Sequence, residues 1–182
     1  TDNDGRTDFA AESFEVVERV TDTTVVNVTV STTHAYTITW RYLVNVDVTV
    51  KNKGTHTETF NTTAYYDGNT IGSELVTLDP EETTTLTFGW NVTAVSCGNY
   101  AISAETEVLP YEANTTDNTL TDGTVRIKFP GDADGSNFVD IGDFALVGKY
   151  WFQHDPSADF DGDGFVDIGD FAILGKYWFQ GP

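Results

Sequence analysis

The chain has 182 residues, 39% of them hydrophobic, with 29 acidic against 9 basic side chains and a formal net charge of −20. That length accommodates one ordinary domain and a small one, and so acidic a surface excludes nucleic acid and anionic membranes as partners while favouring cations. The single Cys97 excludes an intramolecular disulfide and reads as a small buried hydrophobe; no apolar run reaches membrane-spanning length, and no signal peptide is visible.

Residues 1–22 read as an N-terminal extension. Within it, "FEVVERV" (Phe14–Val20) predicts a strand, either at the edge of its own sandwich or donated to a neighbouring molecule. From residue 23 to 129 the apolar pattern has period two. In "WRYLVNVDVTV", Trp40, Tyr42, Val44, Val46, Val48 and Val50 share one face. Arg41, Asn45, Asp47 and Thr49 take the other, and Leu43 is the exception; the segment is a half-buried strand. The alternation recurs at Val26/Val28/Val30, Phe60/Thr62/Ala64/Tyr66, Leu86/Phe88/Trp90, Tyr100/Ile102/Ala104 and Val125/Ile127/Phe129. Turn signals separate these runs, at Asn52–Gly54, Asp67–Asn69, Asp79–Glu82 and Cys97–Asn99. About seven short strands at this spacing predict a mainly β fold, an immunoglobulin-like β-sandwich.

At Gly131 the pattern changes. Asp and Gly crowd together, and stripes of helical spacing follow: Ile141, Phe144, Val147 and Trp151, then Ile168, Phe171, Leu174 and Trp178. "DIGDFALVGKYWFQ" from Asp140 returns as "DIGDFAILGKYWFQ" from Asp167, with only aliphatic exchanges between the copies. Residues 130–182 therefore form a small α domain of two loop–helix repeats. Phe129 ends a strand, Pro130 stiffens the joint, and Asp132 already belongs to the next motif. Without a linker, the two domains are expected to move as one rigid body.

The loops that open the repeats are "DADGSNFVDIGD" (Asp132–Asp143) and "DFDGDGFVDIGD" (Asp159–Asp170). Each carries oxygen side chains at positions 1, 3, 5, 9 and 12, the spacing at which a twelve-residue EF-hand-type loop wraps Ca2+. The expected donors of the first loop are Asp132, Asp134, Ser136, the carbonyl of Phe138, Asp140 and Asp143. Those of the second are Asp159, Asp161, Asp163, the carbonyl of Phe165, Asp167 and Asp170. Asp140 and Asp167 bind directly or through a water. The mid-loop turn wants glycine at position 6; Gly164 supplies it, and Asn137 is the next-best residue for a left-handed backbone. Val139 and Val166, at position 8, point inward. Position 12 is Asp rather than Glu, which asks for a tighter loop or a helix set closer to the ion. Ser136 removes one negative charge, so the first site is expected to be the weaker. Repulsion among the donors without metal couples binding of two Ca2+ to folding.

Tyr150, Trp151 and Phe152, read as consecutive helical residues, span about 200° of the helix, wider than one buried stripe. Trp151 continues the stripe. Tyr150 and Phe152 either face a partner or the β-domain, or are buried by packing within so small a domain. No nucleophile motif or phosphate loop occurs, and His34, His56 and His154 lack metal-ligand spacing. The densest carboxylates are committed to the loops, so no enzyme is expected. Carboxylate pairs acting on a glycan are the remaining catalytic alternative.

The duplicated Asp-rich loops, each with Asp at position 12 and a following helix, resemble a dockerin domain over residues 131–180. The resemblance implies calcium-dependent docking onto a cohesin-type receptor in extracellular assembly. It also implies a partner-binding face at loop positions 10 and 11 and helix positions 17, 18, 19 and 22. In the first copy these are Ile141, Gly142, Gly148, Lys149, Tyr150 and Gln153. In the second they are Ile168, Gly169, Gly175, Lys176, Tyr177 and Gln180. Ile-Gly and Gly-Lys-Tyr depart from the Ser/Thr and Lys/Arg that dockerins often carry there. Upstream, "VNVDVTVKNKGTHTETFNTTAYYDGNTIG", "VTLDPEETTTLTFGW" and "EANTTDN" resemble the cell-adhesion-related CARDB domain over residues 24–128, which implies a surface β-sandwich without catalysis.

Asn27, Asn61, Asn91 and Asn114 occupy N-x-S/T sequons and are expected to point outward and carry glycans. The reading is a non-enzymatic, calcium-stabilised extracellular assembly protein. Its partner is a cohesin-like receptor or, in a self-assembling filament, other copies of itself, with no nucleic acid and no membrane insertion.

Overall fold

The period-two segments fold as strands. The computed structural model describes residues 18–37 and 43–181. It contains β1 (Thr23–Val30), β2 (His34–Tyr36), β3 (Leu43–Asn52), β4 (Glu58–Tyr66), β5 (Asn69–Leu78), β6 (Thr83–Asn91), β7 (Gly98–Thr106) and β8 (Thr119–Lys128), then α1 (Ile141–Lys149) and α2 (Ile168–Lys176). One sheet has the order β1-β3-β6 and the other β2-β8-β7-β4-β5. The chain changes sheets between β1, antiparallel to β3, and β2, parallel to β8. Val44, Val46, Val48, Val50, Phe60, Ala64, Ile102, Ala104, Val125 and Ile127 fill the space between the sheets, each 0–1% exposed. Full burial of such side chains contributes roughly 1.5–3 kcal/mol apiece for the larger ones. Trp90 stacks on Tyr66 at 4.5 Å, and Tyr100 meets both edge-on, closing one end of this core.

Two turns explain their own sequences. Asp67 and Gly68 both take positive φ, 44° and 78°, the two-residue hairpin that joins β4 to β5. At Asn52–Gly54 the buried Asn52 amide donates to the His56 and Leu78 carbonyls and accepts from Gly54 N. A side chain on Gly54 would come within 2.5 Å of the Val20 carbonyl oxygen.

Two expectations need correction. Val26 is 50% exposed, because a bulge between Val25 and Asn27 shifts the register of β1 and sends Val25 inward instead. Cys97 is half-buried rather than buried, and burial followed by the nearby Asp132 charge pushes its thiol up. Trp40, Tyr42 and most of the Phe14–Val20 strand lie outside the described residues. Next to that segment, Thr21 bridges Glu112.

The sandwich and the helical repeats share a second core. Tyr36 of β2 and Phe129, just after β8, pack with Ala133, Val139, Val147, Ala158, Phe160, Val166, Leu174 and Tyr177. Tyr36 meets Phe160 edge-on at 5.8 Å, and Phe129 meets Tyr177 at 5.5 Å. Polar contacts reinforce the joint: Arg126 Nη2 donates to the Gly135 carbonyl at 3.1 Å, and the buried Lys128 ammonium donates to the Ala133 carbonyl at 2.9 Å.

Both helices stop earlier than the aromatic run. They end at Lys149 and Lys176, with Tyr150 and Tyr177 as C-caps, and Phe152 and Phe179 take positive φ of 57° and 60°. The aromatics therefore do not fan around a helix; they form the turn that leaves it. The buried line of each helix also differs from the expected stripe. Asp143 and Val147 are buried in α1, and Asp170 and Leu174 in α2, while Ile141, Phe144, Ile168 and Phe171 are 39–69% exposed. The position-12 carboxylate faces its own loop and sets the rotation of the helix, which leaves the larger apolar residues outside.

Candidate metal centres and docking face

Each loop is wound around its own aspartates. Asp132 accepts from Gly135 N and Asn137 N, Asp134 from Ser136 N, and Asp143 from Asp134 N and Asp140 N. The second loop repeats this: Asp159 accepts from Gly162 N, Asp161 from Asp163 N, Asp163 from Phe165 N, and Asp170 from Phe160, Asp161 and Asp167 N–H groups. Asp140 and Asp167 are helix N-caps, accepting from Gly142 N and Gly169 N, and Asp143 and Asp170 complete a capping box. One carboxylate therefore closes the loop and starts the helix. Asn137, with φ 68°, and Gly164, with φ 100°, make the expected mid-loop turns.

The carboxylates converge. Oxygens of Asp132, Asp134 and Asp143 lie within 4.8 Å of one another; so do those of Asp159, Asp161 and Asp170, and those of Asp161, Asp163 and Asp167. The Ser136 hydroxyl donates to the Phe138 carbonyl at 3.0 Å, so two further expected donors stand together. The first loop thus gathers one group of three carboxylates, and the second gathers two groups that share Asp161. Hard oxygens in this number and spacing fit calcium.

Electrostatics argue the same way. Asp132, Asp143 and Asp170 are fully buried. Burial pushes all three carboxyls up, and that of Asp161 too; the N–H bonds they accept hold them back only in part, and neighbouring aspartates push further. Burial works against the Asp134 carboxylate as well, but bonds from Ser136 bring it below the ordinary range. Buried carboxylates without a counter-charge are costly, and a dication in their midst removes that cost.

The tail of each repeat clamps the loop of the other. Phe152 N donates to the Val166 carbonyl and Val166 N to that of Gln153; Phe179 N donates to the Val139 carbonyl and Val139 N to that of Gln180. Phe179 lies on Phe138 at 6.4 Å, and His154 on Phe165 at 4.0 Å. The three aromatics after each helix therefore have separate tasks. Tyr packs toward the joint, Trp lines the seam between helices, and Phe makes the left-handed turn that reaches the opposite loop.

The expected partner-binding residues divide. Ile141, Lys149 and Gln153 are exposed, as are Ile168, Lys176 and Gln180. Tyr177 is buried against Phe129, and Tyr150 half-buried, so Tyr177 is removed from the outer face by the joint. Gly142 and Gly169 are glycines because of the loops: an added Cβ would stand 2.9 Å from Asp134 Oδ2 and 2.2 Å from Asp161 Oδ2, respectively. Gly148 and Gly175 meet nothing within 4 Å and leave the helix backbones bare. Phe144 and Phe171 touch edge-on at 5.8 Å. On either side of them run two apolar grooves, one ending on Gly175 and Trp178, the other on Gly148 and Trp151.

Pattern reading missed the sandwich's part in the first loop. Arg126 and Lys128 alternate with the core residues Val125 and Ile127, immediately before the acidic loop, and that juxtaposition is the signal that could have found them. Burial lowers the Lys128 pKa, and Arg126 adds to this against the pull of Asp132, Asp143 and Asp155. The four sequon asparagines are all exposed.

The chain matches the CARDB family over residues 21–122 and the dockerin type I domain over residues 130–177. No curated protein matches it. A CARDB domain from Pyrococcus furiosus, solved in complex with di-metal ions, is 25% identical with a TM-score of 0.49, covering 62% of this chain and 98% of that one. A domain of a putative cell surface protein from Methanosarcina acetivorans is 21% identical with a TM-score of 0.46, covering 59% and 92%. A β-glucosidase from Erythrobacter marinus is 16% identical with a TM-score of 0.45, and the match covers 59% of this chain but only 15% of the enzyme.

Proposed function

The chain belongs to the CARDB family and carries a dockerin type I domain, and from that premise we propose that it is a calcium-organised docking protein of the cell surface. Both domains are of adhesion and docking types rather than catalytic ones, and both are typical of extracellular or cell-surface proteins. No helix among the described residues is long and apolar enough to cross a membrane.

Dockerin type I domains bind calcium. Here two ions are held, one by Asp132, Asp134, Ser136, the Phe138 carbonyl, Asp140 and Asp143, the other by Asp159, Asp161, Asp163, the Phe165 carbonyl, Asp167 and Asp170. Each dication offsets the repulsion of its loop and fixes the start of the helix that follows. The docking face is the outer side of the two helices, with Ile141, Lys149 and Gln153 matched by Ile168, Lys176 and Gln180. The partner is a protein, a cohesin-type receptor.

The observation that carries this reading is the division of the helical domain into two sides. One side is buried against Tyr36 and Phe129 of the sandwich; the other leaves equivalent residues of both repeats exposed. The sandwich therefore holds the module with its docking face outward. The test is surface plasmon resonance of the full chain against a panel of type I cohesin modules, in millimolar calcium and in chelator. Binding that needs calcium and is lost on Ile141→Asp with Ile168→Asp supports the proposal. Absence of binding to every module in calcium, or binding unchanged by chelator, overturns it.

A further inference from the structure

The structure divides the four sequons into two kinds. Asn27 and Asn61 lie inside hydrogen-bonded ladders. Asn27 pairs with Thr49 and its sequon partner Thr29 with Asp47, along β3. Asn61 pairs with Leu75, in a strand flanked on both sides by β5 and β7. Its Nδ2 is also engaged, donating to Glu107 Oε2 at 3.0 Å, while the same carboxylate takes Asn61 N at 3.3 Å.

Asn91 and Asn114 are arranged differently. Asn91 is the last residue of β6 and still pairs with Leu43, but Thr93 has already left the sheet. Thr93 N and Oγ1 both donate to Asn91 Oδ1, at 3.0 and 2.8 Å. Asn114 lies in the loop between β7 and β8, and Thr116 N and Oγ1 donate to its Oδ1 at 3.1 and 2.7 Å. In both, the amide oxygen is occupied twice by the sequon's own threonine. That fixes the side chain with its nitrogen turned away from the turn, beside the hydroxyl the sequon requires.

We propose that Asn91 and Asn114 are the N-glycosylation sites of the folded chain, and that Asn27 and Asn61 stay bare. The inference rests on the cell-surface reading above. In the reaction, Asn Nδ2 bonds to C1 of a sugar carried on a polyprenyl phosphate or pyrophosphate. The bond from C1 to the phosphate oxygen breaks, the lipid phosphate leaves with the electron pair, and one Nδ2 proton passes to the transferase. The enzyme must reach Nδ2 and the threonine together. A turn at the surface presents both, whereas a ladder strand holds the three residues flat against its neighbours. Val92, within the Asn91 sequon, is buried, so Asn114 carries the higher occupancy.

The test is glycopeptide mass spectrometry on the protein recovered from the cells that make it, with Thr93→Val and Thr116→Val variants expressed in the same cells. Glycan confined to Asn91 and Asn114, each lost only in its own threonine variant, is the expected result. Occupancy of Asn27 or Asn61 equal to that of Asn91 and Asn114 overturns the selection while leaving the cell-surface reading intact. Four bare sequons overturn the proposal, and cohesin binding measured on the same sample shows separately whether the docking reading stands.

Discussion

Replacing Asp170 by Asn changes one atom at the point where loop and helix meet. The Asp170 carboxylate is fully buried, accepts from Asp161 N and Phe160 N on one oxygen, and accepts from Asp167 N at 2.8 Å on the other. An asparagine must turn its NH2 toward one of those donor sets. Losing the capping bond costs about 1 kcal/mol. Leaving a buried N–H without an acceptor costs about 1–3 kcal/mol more. With calcium bound, the ion also loses a charged ligand, and the sum should reach about 3 kcal/mol, a fall of roughly 6–12 °C in Tm for a chain of this size. In chelator the balance differs. Burial already holds the Asp170 carboxyl up, so removing its charge relieves repulsion and offsets part of the lost bonds, leaving a smaller loss than in calcium. Thermal unfolding by circular dichroism, run in calcium and in chelator, reads both losses. Equal losses in the two conditions would mean that Asp170 is a helix cap and not a calcium ligand.

Other outcomes follow from the same geometry. The carboxyls of Asp132, Asp143, Asp161 and Asp170 are pushed up in the folded chain. Without calcium, their contribution to stability is fully present below the ordinary carboxylate range and is lost as pH rises through their folded values; calcium competes with those protons. The rise in Tm on adding calcium should therefore be large at neutral pH and vanish as pH falls through that range, which scanning calorimetry at several pH values checks. Phe129→Ala opens the joint against Tyr177 and should cost about 3–5 kcal/mol, separating the unfolding of the two domains; a single unshifted calorimetric transition would contradict a shared core. Gly169→Ala, whose Cβ would stand 2.2 Å from Asp161 Oδ2, should weaken the second calcium site about tenfold, or about 1.4 kcal/mol, by calorimetric titration. Gly175→Ala has open space; it should leave calcium binding unchanged, raise stability by about 0.5–1 kcal/mol, and weaken cohesin binding by raising the groove floor.

The loops and the sandwich core were legible because their chemistry is local. Twelve consecutive residues hold the converging aspartates of each loop, and alternation fixes which of Val44–Val50 face inward. The bulge at Val25/Asn27 was not legible: the phase of β1 is set by its pairing with β3, so Val26 was placed in the core it does not reach. The helical stripe misled for a related reason. Ile141 and Phe144 have core spacing, but the buried Asp143 carboxylate decides the rotation, and a polar residue at the centre of a buried face breaks the apolar rule. The aromatic triplets could not be assigned from one repeat, because Phe152 and Phe179 bond to the loop of the other copy. Alternation alone puts Arg126 and Lys128 opposite the core residues Val125 and Ile127, and only the fold brings the Gly135 and Ala133 carbonyls of the first loop onto them.

Two calcium ions are expected to organise the C-terminal domain, residues 130–182. The direct measurement is calorimetric titration of the decalcified full chain with calcium, with near-ultraviolet circular dichroism followed in parallel. Two equivalents of bound ion, the second-loop site tighter, and a gain of tryptophan and tyrosine signal as the aromatic tails close on the loops are the predicted result. No binding heat, or a spectrum that is the same in calcium and in chelator, would contradict the account.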